Sequence, residues 1–225
     1  ETGPADIDVE SDLTVRAARL LQRHGNGRHG VDIALDKRIP MGAGLGGGSS
    51  DAATALVALN TLWGLNLHVD TLAALGLSLG ADVPVFVRGH AAWGEGVGEV
   101  LTPVTLPEPW YAVVVPPVHV ATSLIFSAPQ LRRDHPPIDL PAFLQGASDN
   151  DCTPVTCARY PLVAAALRQL SQHAPARMSG TGAAVFATFD REASAQAALS
   201  GLPPEWHGFV ARGCNRSPLF TTQSP

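Results

Sequence analysis

Pro40-Met41-Gly42-Ala43-Gly44-Leu45-Gly46-Gly47-Gly48-Ser49-Ser50 leads straight into residues 51–63, an Ala-, Leu- and Val-rich run whose apolar positions recur at helical spacing. Five of the chain's 22 glycines sit between Gly42 and Gly48. A glycine loop that opens a helix is a place for an anion. Without Cβ atoms, successive N–H groups can point at one ligand, and the helix start adds unpaired donors and the positive end of its dipole. Ser49 and Ser50 supply hydroxyls at that end, suited to a phosphate oxygen or a magnesium ion. Rival readings are weaker. A Walker-type P-loop requires Gly-Lys-Ser/Thr, and no lysine follows Gly48. Gly42-x-Gly44-x-x-Gly47 can be written as a dinucleotide fingerprint, but Asp36-Lys37-Arg38-Ile39-Pro40 is a poor strand to precede it. A flexible linker would rarely end on a strong helix N-terminus.

The rest of the chain fits a folded protein around that loop. Its 225 residues are 45% hydrophobic and 16% charged, too apolar for disorder, and the glycines lack collagen's every-third spacing. The length suffices for one large domain or two small ones, each with a core. A net charge of −5 argues against a nucleic-acid partner, which would demand clustered Lys and Arg. No run approaches the ~18 apolar residues of a membrane helix, so no membrane span is expected. The opening ETGPADIDVE is acidic and polar, unlike a signal peptide. Cys152, Cys157 and Cys214 form an odd, sparse set that suits a reducing compartment, and a cytoplasmic protein is expected. Cys152 and Cys157 resemble half a metal site, but no other Cys or His pair has ligand spacing. The eight histidines are scattered and read as solvated or structural.

Patterning predicts a helix from Ser11 or Asp12 carrying Leu13, Ala17, Leu20 and Leu21, broken by residues 24–30. Residues 31–36 alternate as a half-buried strand. A helix capped by Asp70 follows residue 66, and residues 83–87 and 90–101 read as strands, the second loosened by Gly94, Gly96 and Gly98. Pro103, Pro107 and Pro109 mark a linker. Beyond it come a buried strand from Tyr111, a proline-rich surface loop over 129–141, and a helix over 155–173 interrupted or bent near Pro161. A second glycine loop at 177–182, a strand over 183–189, a helix over 192–199 and a strand over 208–212 complete the pattern. This mixed order favours an α+β protein over a doubly wound sheet. Turn chemistry alone makes Asp82, between Gly80 and Val83-Pro84, a turn or helix-terminal residue.

Three motifs carry a resemblance. Residues 40–50 resemble the phosphate-binding motif of the GHMP kinases, the family of galactokinase, homoserine kinase, mevalonate kinase and phosphomevalonate kinase. Gly80-Ala81-Asp82-Val83-Pro84-Val85-Phe86 and Arg177-Met178-Ser179-Gly180-Thr181-Gly182-Ala183-Ala184-Val185-Phe186 follow in the family's order, and the likeness runs from about Asp12 to Leu219. It is strongest to those members that phosphorylate the 2-hydroxyl of a cytidine diphosphate-linked methylerythritol in non-mevalonate isoprenoid biosynthesis. The resemblance implies two domains. Residues 1–109 would be ATP-binding and like ribosomal protein S5 domain 2, and residues 110–225 would be ferredoxin-like. ATP as co-substrate, Mg2+, a small-molecule substrate and a monomer or weak homodimer are implied with it. Another small-alcohol kinase of the family, or a nucleotide-binding relative without catalysis, are the alternatives.

The resemblance also implies roles. Pro40, Met41, Gly42, Ala43, Gly44, Leu45, Gly46, Gly47, Gly48, Ser49 and Ser50 would contact the triphosphate, with Ser50 nearest the metal. Asp82 maps onto the catalytic base, which chemistry supports: an alcohol must lose its proton as the phosphoryl group transfers. Gly180 and Thr181 would approach the phosphates, although by themselves they read as a tight turn before a strand. Lys37 and Asp12-Leu13 fall where relatives line the adenine pocket; many relatives have Asn-Leu there, and Lys37 alone reads equally as a solvated strand-end charge. Thr122 falls in a segment on the substrate side of relatives. Relatives open with Pro-Ala-Lys-x-Asn and Asp-Gly-Tyr-His, which this sequence lacks, and it begins with Glu1. The expectation is a fragment, or a sequence begun downstream of its start, rather than a degenerate protein. As such it would be poorly soluble or inactive alone, with strand edges and helix faces uncovered.

Overall fold

The computed structural model describes residues 9–25, 27, 29–146 and 149–221. Most of the polar opening and part of the break over 24–30 lie outside the described residues. The chain forms two compact units, and neither is continuous in sequence. The first comprises Glu1–Ile39, Gly46–Leu106 and Cys214–Pro225; the second comprises Pro40–Leu45 and Pro107–Gly213.

The first unit is mainly helical. Helix α1 (Leu13–His24) buries Thr14, Ala17, Ala18 and Leu21, one face at the i, i+3, i+4, i+7 spacing. Helix α2 (Gly47–Leu62) buries Ala52, Ala53, Ala55, Leu56, Val57 and Leu59. Apolar positions on several sides make it the central helix. Helix α3 (Val69–Leu77) is capped by His68, whose ring accepts from the Asp70 N–H at 3.4 Å; Asp70 lies inside the first turn rather than at the cap. Residues 83–87 are not a strand but helix α4 (Val83–Arg88). Pro84 is tolerated in the first turn, and Val83 and Val87, four apart, are both buried in the core shared with Leu21, Leu56 and Leu72. Packing overrides β-branched propensity here. A Cβ at Gly76 would lie 2.7 Å from Val83 Cγ1, so glycine lets α3 and α4 approach.

Residues 90–101 are a hairpin rather than one loosened strand. Strand β1 (Ala92–Glu95) pairs antiparallel with β2 (Val100–Pro103), and Gly96 and Gly98 take the positive φ values of the turn. The strand expected at 31–36 does not form, because no described residue pairs with it. Val31, Ile33 and Leu35 are each about 40% exposed despite their alternation. Helix α10 (Pro218–Thr221) ends the described part of this unit.

The second unit is an antiparallel sheet, in spatial order β4 (Ala176–Met178), β5 (Val185–Phe189), β3 (Trp110–Val115), β6 (His207–Arg212). Helices α5 (Thr122–Phe126), α6 (Leu140–Leu144), α7 (Cys152–Arg159) and α8 (Pro161–Leu170) lie between β3 and β4 in sequence, and α9 (Glu192–Ala198) between β5 and β6. This is the split β-α-β arrangement of a ferredoxin-like sheet. Pro161 opens α8 as a helix separate from α7, so the helix expected over 155–173 is interrupted there. Strand β3 is buried on both faces, which explains its unbroken apolar run. Ala112 and Val114 join Val163, Leu170, Val185 and Ala195 in the main core, while Val113 and Val115 pack with Ala43, Ala184 and partly buried Leu45 and Phe209.

Candidate active site

In the first unit, candidate residues gather at the start of α2. Gly46, the N-cap, has φ +69° and offers no capping side chain, and no acidic residue occupies the first turn. The N–H groups of that turn have no intrahelical acceptor by construction, and the positive dipole end is unneutralised. Ser50 N–H donates to Gly46 O at 2.8 Å, so the helix is properly wound from its first turn. Glycine is required at 46 twice over: its φ is left-handed, and a Cβ would stand 3.0 Å from Phe86 Cζ on α4. A Cβ at Gly47 would meet Ile39 at 3.1 Å. The first of these contacts sets α4, and the second sets Ile39, against the α2 start. A Cβ built at Gly80 would lie 3.8 Å from Ser49 Oγ, which places the segment leading to Asp82 beside the same turn.

Asp82 is the N-cap residue of α4, yet its side chain makes no capping bond, and it is exposed. A carboxylate in a position where aspartate normally caps, but left out of the cap, is available for other chemistry.

Lys37 is not a solvated strand-end charge. Its Nζ lies 3.0 Å from Asp51 Oδ2 and 3.1 Å from Asp12 Oδ2, and the lysine side chain is 14% exposed. Asp12 caps α1, accepting from the Thr14 N–H at 2.7 Å. Burial pushes the Asp12 carboxyl up, but the Lys37 ammonium and the Thr14 N–H outweigh it and hold the carboxyl below its ordinary value. Burial likewise pushes Lys37 down, and the two carboxylates override it, raising the ammonium above its ordinary value. The triad ties residues 36–39 to the starts of both α1 and α2.

In the second unit, Pro40–Leu45 packs against the loop between β4 and β5. Ser179 Oγ donates to Gly44 O at 2.6 Å, and Ala184 N donates to Ala43 O at 3.0 Å. Gly44 has φ +74°, and a Cβ there would fall 2.5 Å from Ser179 O. A Cβ at Gly42 would strike the His119 ring at 2.7 Å. Thr181 is buried; its hydroxyl and that of Thr122 share a hydrogen bond at 3.0 Å, and its carbonyl accepts from buried Thr156 Oγ1 at 3.0 Å. Gly180 O accepts from Asn150 Nδ2 at 2.7 Å.

The eleven residues of the glycine loop are therefore shared: Pro40, Met41, Gly42, Ala43, Gly44 and Leu45 belong to the second unit, and Gly46, Gly47, Gly48, Ser49 and Ser50 to the first. Sequence reasoning missed Asn150, Thr156 and His119. Only Asn150 left a signal, as an amide side chain just ahead of a helix. Among the described residues no three His, Cys, Asp or Glu side chains cluster as metal ligands, and no helix is long and apolar enough to cross a membrane.

Comparison with known proteins gives concordant matches. The profile of the GHMP kinases N terminal domain matches residues 12–90, and that of the GHMP kinases C terminal matches residues 127–207. The 4-diphosphocytidyl-2-C-methyl-D-erythritol kinase of Nitrosococcus oceani is 55% identical over 214 residues, covering 95% of this chain and 76% of that protein. The protein of the same name from Alkalilimnicola ehrlichii is 57% identical over 214 residues, covering 95% and 74%. A crystal structure of 4-(cytidine 5'-diphospho)-2C-methyl-D-erythritol kinase aligns with a TM-score of 0.79 at 33% identity, covering 95% of this chain and 81% of that one. Homoserine kinase from Cytophaga hutchinsonii shares the fold, with a TM-score of 0.64 at 17% identity over 96% of this chain and 79% of its own.

Proposed function

Because the chain belongs to the GHMP kinase family, we propose that it transfers the γ-phosphoryl group of ATP to the 2-hydroxyl of 4-diphosphocytidyl-2-C-methyl-D-erythritol, releasing the 2-phosphate and ADP. The observation that carries the substrate is the identity of 55% across 95% of the chain to a kinase so named. The place of the reaction is non-mevalonate isoprenoid biosynthesis, in the cytoplasm.

The α2 start receives the phosphates. Its free N–H groups and uncapped dipole stabilise the charge that gathers on the transferring oxygens. Asp82 accepts the proton of the attacking hydroxyl, a role its unused carboxylate leaves open and that contributes typically ~10²–10⁴-fold. Lys37, held by Asp12 and Asp51, is the first unit's candidate for the adenine side. Gly180 and Thr181 are proposed as phosphate neighbours in the second unit. For magnesium, the fit is that of a nucleotide-borne ion. Ser50 offers a hard oxygen at the helix start, while the nearby Asp51 carboxylate is engaged by Lys37. When bound, the ion neutralises charge on the phosphates.

A coupled ADP assay with ATP and magnesium, run on the protein expressed from its full gene, tests the reading on three alcohols: the cytidine diphosphate-linked methylerythritol, homoserine and mevalonate. Turnover on the first alone is expected. Preference for another alcohol, or ATP binding without transfer to any, would overturn it.

A further inference from the structure

The loop between β4 and β5 has an unusual polarity, and one side chain outside it sets that polarity. Every carbonyl from Met178 to Thr181 accepts a hydrogen bond from within the second unit. Met178 O and Gly180 O both accept from Asn150 Nδ2, at 3.1 and 2.7 Å. Ser179 O accepts from Gly182 N at 2.9 Å, and Thr181 O accepts from Thr156 Oγ1 at 3.0 Å. By contrast, among the described residues no acceptor meets the N–H of Gly180 or of Thr181. Two successive donors are thus left over while four successive acceptors are consumed. A backbone segment so arranged presents positive potential to a ligand.

The Asn150 amide cannot be turned over. Its Oδ1 accepts from Cys152 N at 2.9 Å at the start of α7, and a flipped amide would set that oxygen against two carbonyl oxygens. An aspartate would do the same with a full charge. Asparagine alone supplies both the acceptor for α7 and the donor for the loop.

We propose that Asn150 is a positioning residue that sequesters the carbonyls of the 178–181 loop and so aims the Gly180 and Thr181 N–H groups at nucleotide phosphate. This rests on the kinase reading given above, and deepens it by assigning what holds the loop.

Amide hydrogen exchange of the whole chain, with and without ADP, tests the loop's target directly. The Gly180 and Thr181 amides are expected to exchange fast alone and to become protected when ADP is added. Protection elsewhere but not at these two amides would overturn the proposal while leaving the kinase reading standing; failure to bind ADP or ATP at all would overturn the reading beneath it. Asn150→Asp keeps the acceptor for Cys152 N and removes the donor. It is expected to speed exchange at Gly182 and Ala184 and to raise the KM for ATP about ten-fold, the effect of losing roughly one well-placed polar contact, with the KM for the alcohol little changed. Asp139→Ala removes the cap of α6 in the same unit, where Asp139 Oδ1 accepts from Ala142 N, and is expected to lower stability without moving the KM for ATP. Equal effects of the two substitutions on the KM for ATP, or unchanged loop exchange in Asn150→Asp, would overturn the assignment.

Discussion

Replacing Gly44 by alanine isolates the contact on which the second unit's part of the glycine loop depends. The added Cβ would stand 2.5 Å from Ser179 O and 3.1 Å from Gly182 O, both backbone atoms that no rotamer change can move away. Ordinary contact requires roughly 1 Å more separation. The β4–β5 loop cannot yield that distance freely, because Asn150 and Thr156 hold it from the other side. The φ of +74° adds a left-handed penalty of about 1–2 kcal/mol. Separation also loses the Ser179 Oγ to Gly44 O hydrogen bond, worth about 0.5–1.5 kcal/mol. The expected loss is about 2–4 kcal/mol. Two companions calibrate it. Gly180→Ala meets only Gly44, at 3.8 Å, so it carries the φ cost alone, about 1–2 kcal/mol. Gly48→Ala sits in the helix with its Cβ 3.4 Å from Leu13 Cδ1, and should be neutral or stabilising by up to ~1 kcal/mol. Thermal and urea unfolding of the three variants give the order directly. A Gly44→Ala protein as stable as Gly180→Ala would refute the close-packed reading of this loop.

Asp82→Asn should lower turnover by about 10²–10⁴-fold with the KM for ATP little changed, and stability should move by less than ~0.5 kcal/mol because the exposed side chain caps nothing; undiminished turnover removes Asp82 from the chemistry. Lys37→Met should cost about 1–3 kcal/mol near neutral pH, leaving two carboxylates facing each other. The Asp12 carboxyl is lowered by folding, so its share of that stability is present above 3.8 and is lost as pH falls through its folded value. Lys37 is raised, so its share is present below 10.5 and is lost as pH rises through its folded value. Unfolding of both proteins across pH should therefore show a difference that is flat in between and narrows at both extremes, and a constant difference would contradict the triad.

The sequence made some parts of this protein legible and concealed others for identifiable reasons. Helices α1 and α2 were readable because Asp12 caps one and a glycine loop opens the other, both local signals. The β3 run and the break at Pro161 were equally local. The 83–87 segment misled because Val and Phe favour strands in isolation, while Val83 and Val87 are buried together only as a helix. The alternation of Val31, Ile33 and Leu35 carried no information about whether a partner strand exists. At the candidate site, the loop and Asp82 became candidates through the resemblance of their motifs. The partners of Lys37 were hidden because Asp12 and Asp51 lie far from it in sequence. Asn150 was hidden for the same reason, since its acceptors are 28 and 30 residues away.

The discontinuity of the two units bears on how the chain can fold as it is synthesised. Ala43, which covers the Val113 and Val115 face of the second sheet, leaves the ribosome long before β3 is made, and can dock only once that strand exists. The first unit has the opposite delay. Leu106 N and O are both satisfied by the Asn215 side chain, at 2.8 Å each, and Ala91 N by Asn215 O at 2.9 Å, so its β1–β2 region waits for residues translated after the whole second unit. The second unit has all its residues once Gly213 is made, whereas the first must wait for the segment that begins at Cys214. Contacts of such long sequence separation slow folding, and they make the unit that is begun first the last to be completed during synthesis.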